Sequence, residues 1–99
     1  MKFLLWISSD CHNLTEIAGA LKAGGHDLGL LLVQDGVYLA DKGCPESETL
    51  LRLGAPIHAT RNHVEERGIE ARLVVDVEPI SYEDAVDLIM EQYDRVISL

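Results

Sequence analysis

The sequence predicts an α/β protein: a three-layer sandwich with a mostly parallel sheet of four to five strands and helices on both faces, flavodoxin- or Rossmann-like in plan. Three observations carry this. Leu30-Leu31-Leu32-Val33 is an apolar run with no polar residue on either face, and such a strand must be buried on both sides, as central parallel strands are. The run halts at Gln34-Asp35-Gly36, where Asp35 suits a helix N-cap and Gly36 permits an unusual backbone angle; Val37, Tyr38 and Ala40 then return at helical spacing. Along the chain, short apolar runs alternate with amphipathic stretches, the pattern of βα units joined by right-handed crossovers.

In order, residues 3–7 form the first strand and residues 8–12 the loop leaving it. Asn13, with Glu16 three residues on, approximates a capping box. Leu14, Ile17, Ala18 and Leu21 give the following helix its sheet-facing side, and Gly24-Gly25 ends it. After the central strand, the helix from Val37 breaks near Gly43-Cys44-Pro45. Pro45 suits the first position of a new helix with Cys44 as its N-cap residue, and Leu50, Leu51 and Leu53 supply its apolar side. Residues 56–60 read as a third strand, residues 62–67 as one or two helical turns closed by Gly68, and residues 72–77 as a fourth strand near the sheet edge. Ser81 caps the last helix, with Glu83 and Asp84 in its first turn. Ala85, Val86, Leu88, Ile89 and Tyr93 make its buried stripe, and residues 95–99 a terminal strand.

Ninety-nine residues suit one domain spanning residues 1–99. A net charge of −9 argues against direct nucleic-acid binding, which needs clustered Lys and Arg; here they are scattered singly. No apolar run approaches the roughly 20 residues of a membrane helix. The opening segment ends at Ser8-Ser9-Asp10 after five apolar residues, short of the about 7–15 of a secretory core region. A cytoplasmic protein with two reduced thiols, Cys11 and Cys44, is therefore expected.

Cys11, in the loop after the first strand and near a helix amino terminus, is the leading candidate for chemistry because a helix dipole favours thiolate; His12 is its possible proton partner, while Asp10 and Glu16 oppose thiolate formation. Cys44 has a similar setting, opposed by Glu46 and Glu48, and serves equally well as filler between two helical segments. Asp10-Cys11-His12 makes a poor metal site, since three consecutive residues seldom face one ion. His26, His58 and His63 read as surface or strand-end residues. No phosphate-binding glycine motif and no Gly-x-Ser-x-Gly elbow is present, so no cofactor and no metal is expected. The acidic groups around Glu46, Glu65 and Glu83 are solvated helix faces or steer a basic partner. Tyr38 is either a core residue or an interface anchor.

Three strings, Leu32-Val33-Gln34-Asp35-Gly36-Val37-Tyr38-Leu39-Ala40, Val64-Glu65-Glu66-Arg67-Gly68-Ile69 and Ile80-Ser81-Tyr82-Glu83-Asp84-Ala85-Val86-Asp87-Leu88, resemble in order and spacing the DsrE/DsrF/DsrH superfamily, nearest its DsrH/TusB branch. The resemblance covers most of the chain from Leu28 onward; the amino-terminal third matches loosely. It implies a subunit of a complex that passes persulfide sulfur between proteins, a homo- or hetero-oligomer of related DsrE/DsrF-like proteins serving tRNA wobble-uridine 2-thiolation or sulfur oxidation; Asp35 and Tyr38 are the candidate interface residues. In the family a sister subunit bears the reactive cysteine after the third strand, before an Arg-Gly turn. Aligned through Arg67-Gly68-Ile69, that position falls at about Thr60, whose hydroxyl cannot carry a persulfide. An accessory docking subunit is thus expected. The alternatives are a stand-alone persulfide carrier using Cys11 or Cys44, or a small-ligand binder with a cleft near Asp10 and Asp35.

Overall fold

The computed structural model describes residues 1–9, 14–74 and 77–99. Strand β1 (Lys2–Ile7) leads to helix α1 (Leu14–Ala23), then strand β2 (Asp27–Leu32), a 3₁₀ segment (Gln34–Ala40) and helix α2 (Glu46–Arg52). Strand β3 (Ile57–Thr60), helix α3 (Arg61–Glu66), a 3₁₀ turn (Glu70–Arg72) and strand β4 (Val77–Ile80) follow. Helix α4 (Tyr82–Asp87) continues into a π-helical turn (Leu88–Gln92) before strand β5 (Arg95–Ser98). The five strands form one sheet in the order β4-β3-β2-β1-β5, and every neighbouring pair is parallel. The fully apolar run therefore lies in the middle strand, with Leu30, Leu31 and Leu32 wholly buried.

Side chains alternate between two apolar layers, as strand geometry requires. On one face Leu5, Ile7, Leu30, Leu32, Ile57 and Ala59 pack with Leu14 and Ala18 of α1, Leu50 of α2 and Val64 of α3. On the other, Leu4 and Leu31 meet Ala85 and Leu88 of the α4 segment. The expected three layers are present, but unequal: α1, α2 and α3 cover one face, while α4 and its π turn cover the other.

Several local expectations are corrected. Asp35 is not an N-cap; the segment after β2 is 3₁₀, and Val33 occupies its cap position. The unusual backbone angle belongs to Gln34 (φ 49°) and not to Gly36. Gly36 is needed for a different reason: a Cβ there would lie 2.1 Å from the Ile7 carbonyl oxygen. Helix α2 begins one residue later than expected, with Pro45 at its cap position and Cys44 outside it. The fourth strand, expected over residues 72–77, is Val77–Ile80; residues 72–74 are not strand, and residues 75–76 lie outside the described residues. Leu73 instead makes an isolated antiparallel bridge to Asp41, reinforced by the Arg72–Asp41 ion pair at 3.1 Å. Pro79 lies inside β4, tolerable because the strand is at the sheet edge. Val86, expected in the buried stripe, is 56% exposed: Ala85 and Leu88 take the inward positions, and the π turn alters the helical period beyond them. The cap expected at Asn13 lies outside the described residues.

Candidate functional site

The direction of the connections defines a crevice. The chain leaves β3 for α3 on one face and β4 for α4 on the other, so the carboxyl ends of these adjacent strands diverge, the kind of switch point at which open α/β sheets bind ligands. A cavity of about 360 Å³ lies beside it, under α4 and over the carboxyl ends of β1, β2 and β3. Trp6, Leu31, Val33 and Ile89 give it apolar walls, and Thr60, His63 and Tyr82 a polar end. Apart from His63 and the Tyr82 phenol, no titratable side chain lines it among the described residues.

His63 organises the polar end. The Gln34 backbone N–H donates to its Nδ1 at 3.1 Å, and Thr60 Oγ1 lies 2.5 Å from the same nitrogen. A backbone N–H can only donate, so Nδ1 presents its lone pair and the Thr60 hydroxyl donates to it as well. The ring proton is thereby assigned to Nε2, 3.0 Å from the Tyr82 hydroxyl, which accepts it and retains its own proton for another partner. The His63 and Tyr82 rings meet edge to face at 5.7 Å. This chain joins the end of β3 to both α3 and α4.

Thr60 stands at the N-cap position of α3, with extended backbone, yet its side chain caps no backbone N–H. A threonine there ordinarily accepts from the first helical turn; here the hydroxyl is committed to His63 instead. It is 1% exposed.

Beside the crevice, Arg67 clamps the 3₁₀ segment to α3. Its Nε and Nη2 both donate to Asp35 Oδ1, at 3.1 and 2.9 Å, Nη1 reaches the His63 carbonyl at 3.4 Å, and the guanidinium carbon lies 5.9 Å from the Tyr38 ring centre. Asp35 and Tyr38, singled out from the sequence, thus share one arginine. Tyr38 is 41% exposed, which removes the core alternative. Asp35 does not line the cavity, and Asp10, expected beside it in a cleft, lies outside the described residues.

Of the two thiols, Cys11 also lies outside the described residues. Cys44 is half-buried in a separate shallow depression with Tyr38, Asp41 and Arg72. His63, read as a surface or strand-end residue, lies just past the end of β3 and is part-exposed, but it also centres the network; the spacing Thr60-x-x-His63 at a strand-to-helix junction was the one sequence signal of that role. Tyr82 had none, because its partner is 19 residues away. His58 faces α4 from within β3, and burial holds its pKa below the usual 6.5, partly offset by the Glu78 carboxylate.

Fold and crevice define a parallel α/β protein with a cavity at the carboxyl ends of its strands, whose polar end is held by hydrogen bonds among its own groups. The chain belongs to the DsrH-like family, whose model, described as DsrH like protein, matches residues 9–95. It is 34% identical over 77 residues to Protein TusB of Sodalis glossinidius, covering 78% of this chain and 81% of that one. With Protein TusB of Escherichia coli it shares 33% identity over 83 residues, 84% of this chain and 87% of the relative. The crystal structure of the ychN protein from E. coli has the same fold, with a TM-score of 0.79, 19% identity and complete coverage of both chains. No described helix is long and apolar enough to cross a membrane.

Proposed function

We propose that the protein is an accessory, non-catalytic subunit of a sulfur-relay complex, of the kind serving tRNA wobble-uridine 2-thiolation or sulfur oxidation. In this reading it acts in the cytoplasm as one domain, assembled with related DsrE/DsrF-like subunits, with Asp35 and Tyr38 at a subunit contact. Membership of the DsrH-like family and the likeness to TusB proteins support it. The observation that carries it is Thr60. At the strand end where the family's sister subunit bears its carrier cysteine, this chain has a buried hydroxyl engaged with His63. An oxygen there cannot hold a transferable sulfur.

Co-expression with DsrE- and DsrF-like proteins, followed by native mass spectrometry and sulfur loading with a cysteine desulfurase, tests this. The expected result is a hetero-oligomer in which the sister subunit gains sulfur and this chain does not. Rapid gain of one sulfur atom on this chain, abolished by Cys11→Ala or Cys44→Ala, would replace it with the stand-alone carrier.

A further inference from the structure

We propose that the outer edge of α4 and the adjoining crevice form one docking groove for a basic segment of a protein partner, which seats an apolar side chain in the crevice. The proposal deepens the subunit reading and rests on it for the existence of a partner; the chemistry of the groove can be tested without one.

Tyr82, Val86 and Met90 follow one another at four-residue intervals along α4 and its π turn, and are 54%, 56% and 75% exposed. Large apolar side chains exposed in a row mark an interaction surface, whereas scattered ones do not. Tyr82 and Val86 also line the crevice, so the row and the cavity are continuous. The crevice supplies what a flat row lacks: an apolar socket for an anchoring side chain, with the unspent Tyr82 hydroxyl proton at its rim.

Charge selects the occupant. Between residues 81 and 94 the sequence carries Glu83, Asp84, Asp87, Glu91 and Asp94 but no Lys or Arg, and all five carboxylates are exposed. A second copy of the chain would bring the same carboxylates against them, in a molecule already at −9, and like charges across an interface are costly. A segment with Lys or Arg on either side of an apolar tip matches both the row and its flanks.

Trp6, the sole tryptophan, lines the crevice and reports entry. The probe is a synthetic amphipathic peptide of leucine and lysine, compared with its counterpart in which serine replaces leucine. Titration into the full chain is followed by Trp6 emission and by calorimetry. The leucine peptide should shift the emission saturably, and binding should weaken with added salt. Val86→Ser and Met90→Ser, both at exposed positions, should each weaken binding about tenfold or lose it. Asp87→Asn with Glu91→Gln should flatten the salt dependence, and Glu48→Gln on α2 should change nothing. Equal binding of the serine peptide, or indifference to Val86→Ser and Met90→Ser, would reduce the surface to unspecific acidity and overturn the proposal. Binding without a Trp6 response would separate the crevice from the row and overturn it too. A dimer seen by sedimentation and lost in Met90→Ser would make a second copy the occupant. If the sister subunits fail to assemble while the peptide behaves as expected, the family reading fails and the groove stands.

Discussion

Gly36→Ala should be one of the most damaging single-methyl additions in this chain, and the reason is close approach of backbone to backbone. A Cβ at residue 36 would lie 2.1 Å from the Ile7 carbonyl oxygen and 2.8 Å from its carbon. Ordinary contact begins near about 3.5 Å, so the 3₁₀ segment and the end of β1 must separate by more than about 1 Å. That carbonyl cannot retreat freely, because it accepts the Val33 N–H at 2.9 Å and sits where β1 pairs with β2. Overpacking of this kind costs about 1–3 kcal/mol, and a weakened backbone hydrogen bond adds about 0.5–1.5 kcal/mol. The sum, about 2–4 kcal/mol, should lower Tm by about 10–25 °C in a domain this size. Gly19→Ala is the internal control: Gly19 lies exposed within α1, no atom crowds its added Cβ within 4 Å, and alanine there should stabilise by up to about 1 kcal/mol. Thermal and urea unfolding by circular dichroism reads both. A Gly36→Ala protein within about 0.5 kcal/mol of the parent would refute the packing argument. Gly36→Asn damaging as much as Gly36→Ala would show that space, and not backbone angle, sets the requirement.

Acidification should expose His58. Its pKa is lowered from 6.5 by burial, so below that value the unfolded chain takes up the proton first; stability is whole above about pH 6.5 and falls as pH drops through the window beneath it. Glu78 from β4, which lines the same depression with Asp84 and Asp87 of α4, moderates the loss. His58 Nδ1 is buried without a hydrogen-bond partner, so His58→Leu should be no less stable than the parent at about pH 7.5 and should lose less on going to about pH 5.5; an unchanged pH response in urea unfolding would refute the assignment. Ser81→Ala removes the cap whose Oγ accepts the Asp84 N–H at 3.2 Å and should cost about 1 kcal/mol, whereas Ser81→Asp should restore most of it; equal stability of all three proteins would show that the cap carries no weight.

The middle of the sheet was legible because burial on both faces leaves a one-dimensional mark: Leu30 to Val33 contain no polar residue. The cap at Ser81 was legible because its partner is three residues away. What was not legible depends on placement across the fold. Gly36 reads in sequence as a turn glycine, yet its role is set by Ile7, brought beside it only when β1 and β2 pair. The string Leu73-Val74 looks like the start of a strand, but those residues are spent on a bridge to Asp41 and a hydrogen bond to Ala40. Val86 falls within an apolar helical period, and only the packing of Ala85 and Leu88 against the sheet shows that it faces outward. The His63 network gathers residues 34, 60, 63 and 82 from four segments, and a single sequence has no way to juxtapose them.

The burial of Thr60 bears most directly on whether the crevice carries chemistry or recognition. A hydroxyl donating to a neighbouring imidazole looks like a nucleophile and its base, but attack requires access to the oxygen, and the residue as a whole is 1% exposed. The imidazole in turn spends Nε2 on Tyr82, so the chain behaves as a brace between the helices of the two faces. Thr60→Cys, made with Cys11→Ala and Cys44→Ala so that one thiol remains, separates the two roles. A thiol of nearly the same size occupies the site but donates weakly, and if the position is sheltered its reaction with an aromatic disulfide reagent should proceed only through local opening, well below the rate of the same chain in denaturant. Labelling as fast as in the unfolded chain would mean that the strand end is open and able to host a sulfur-carrying group. The distinction between a brace and a reaction centre would then have to be drawn from the residue type alone.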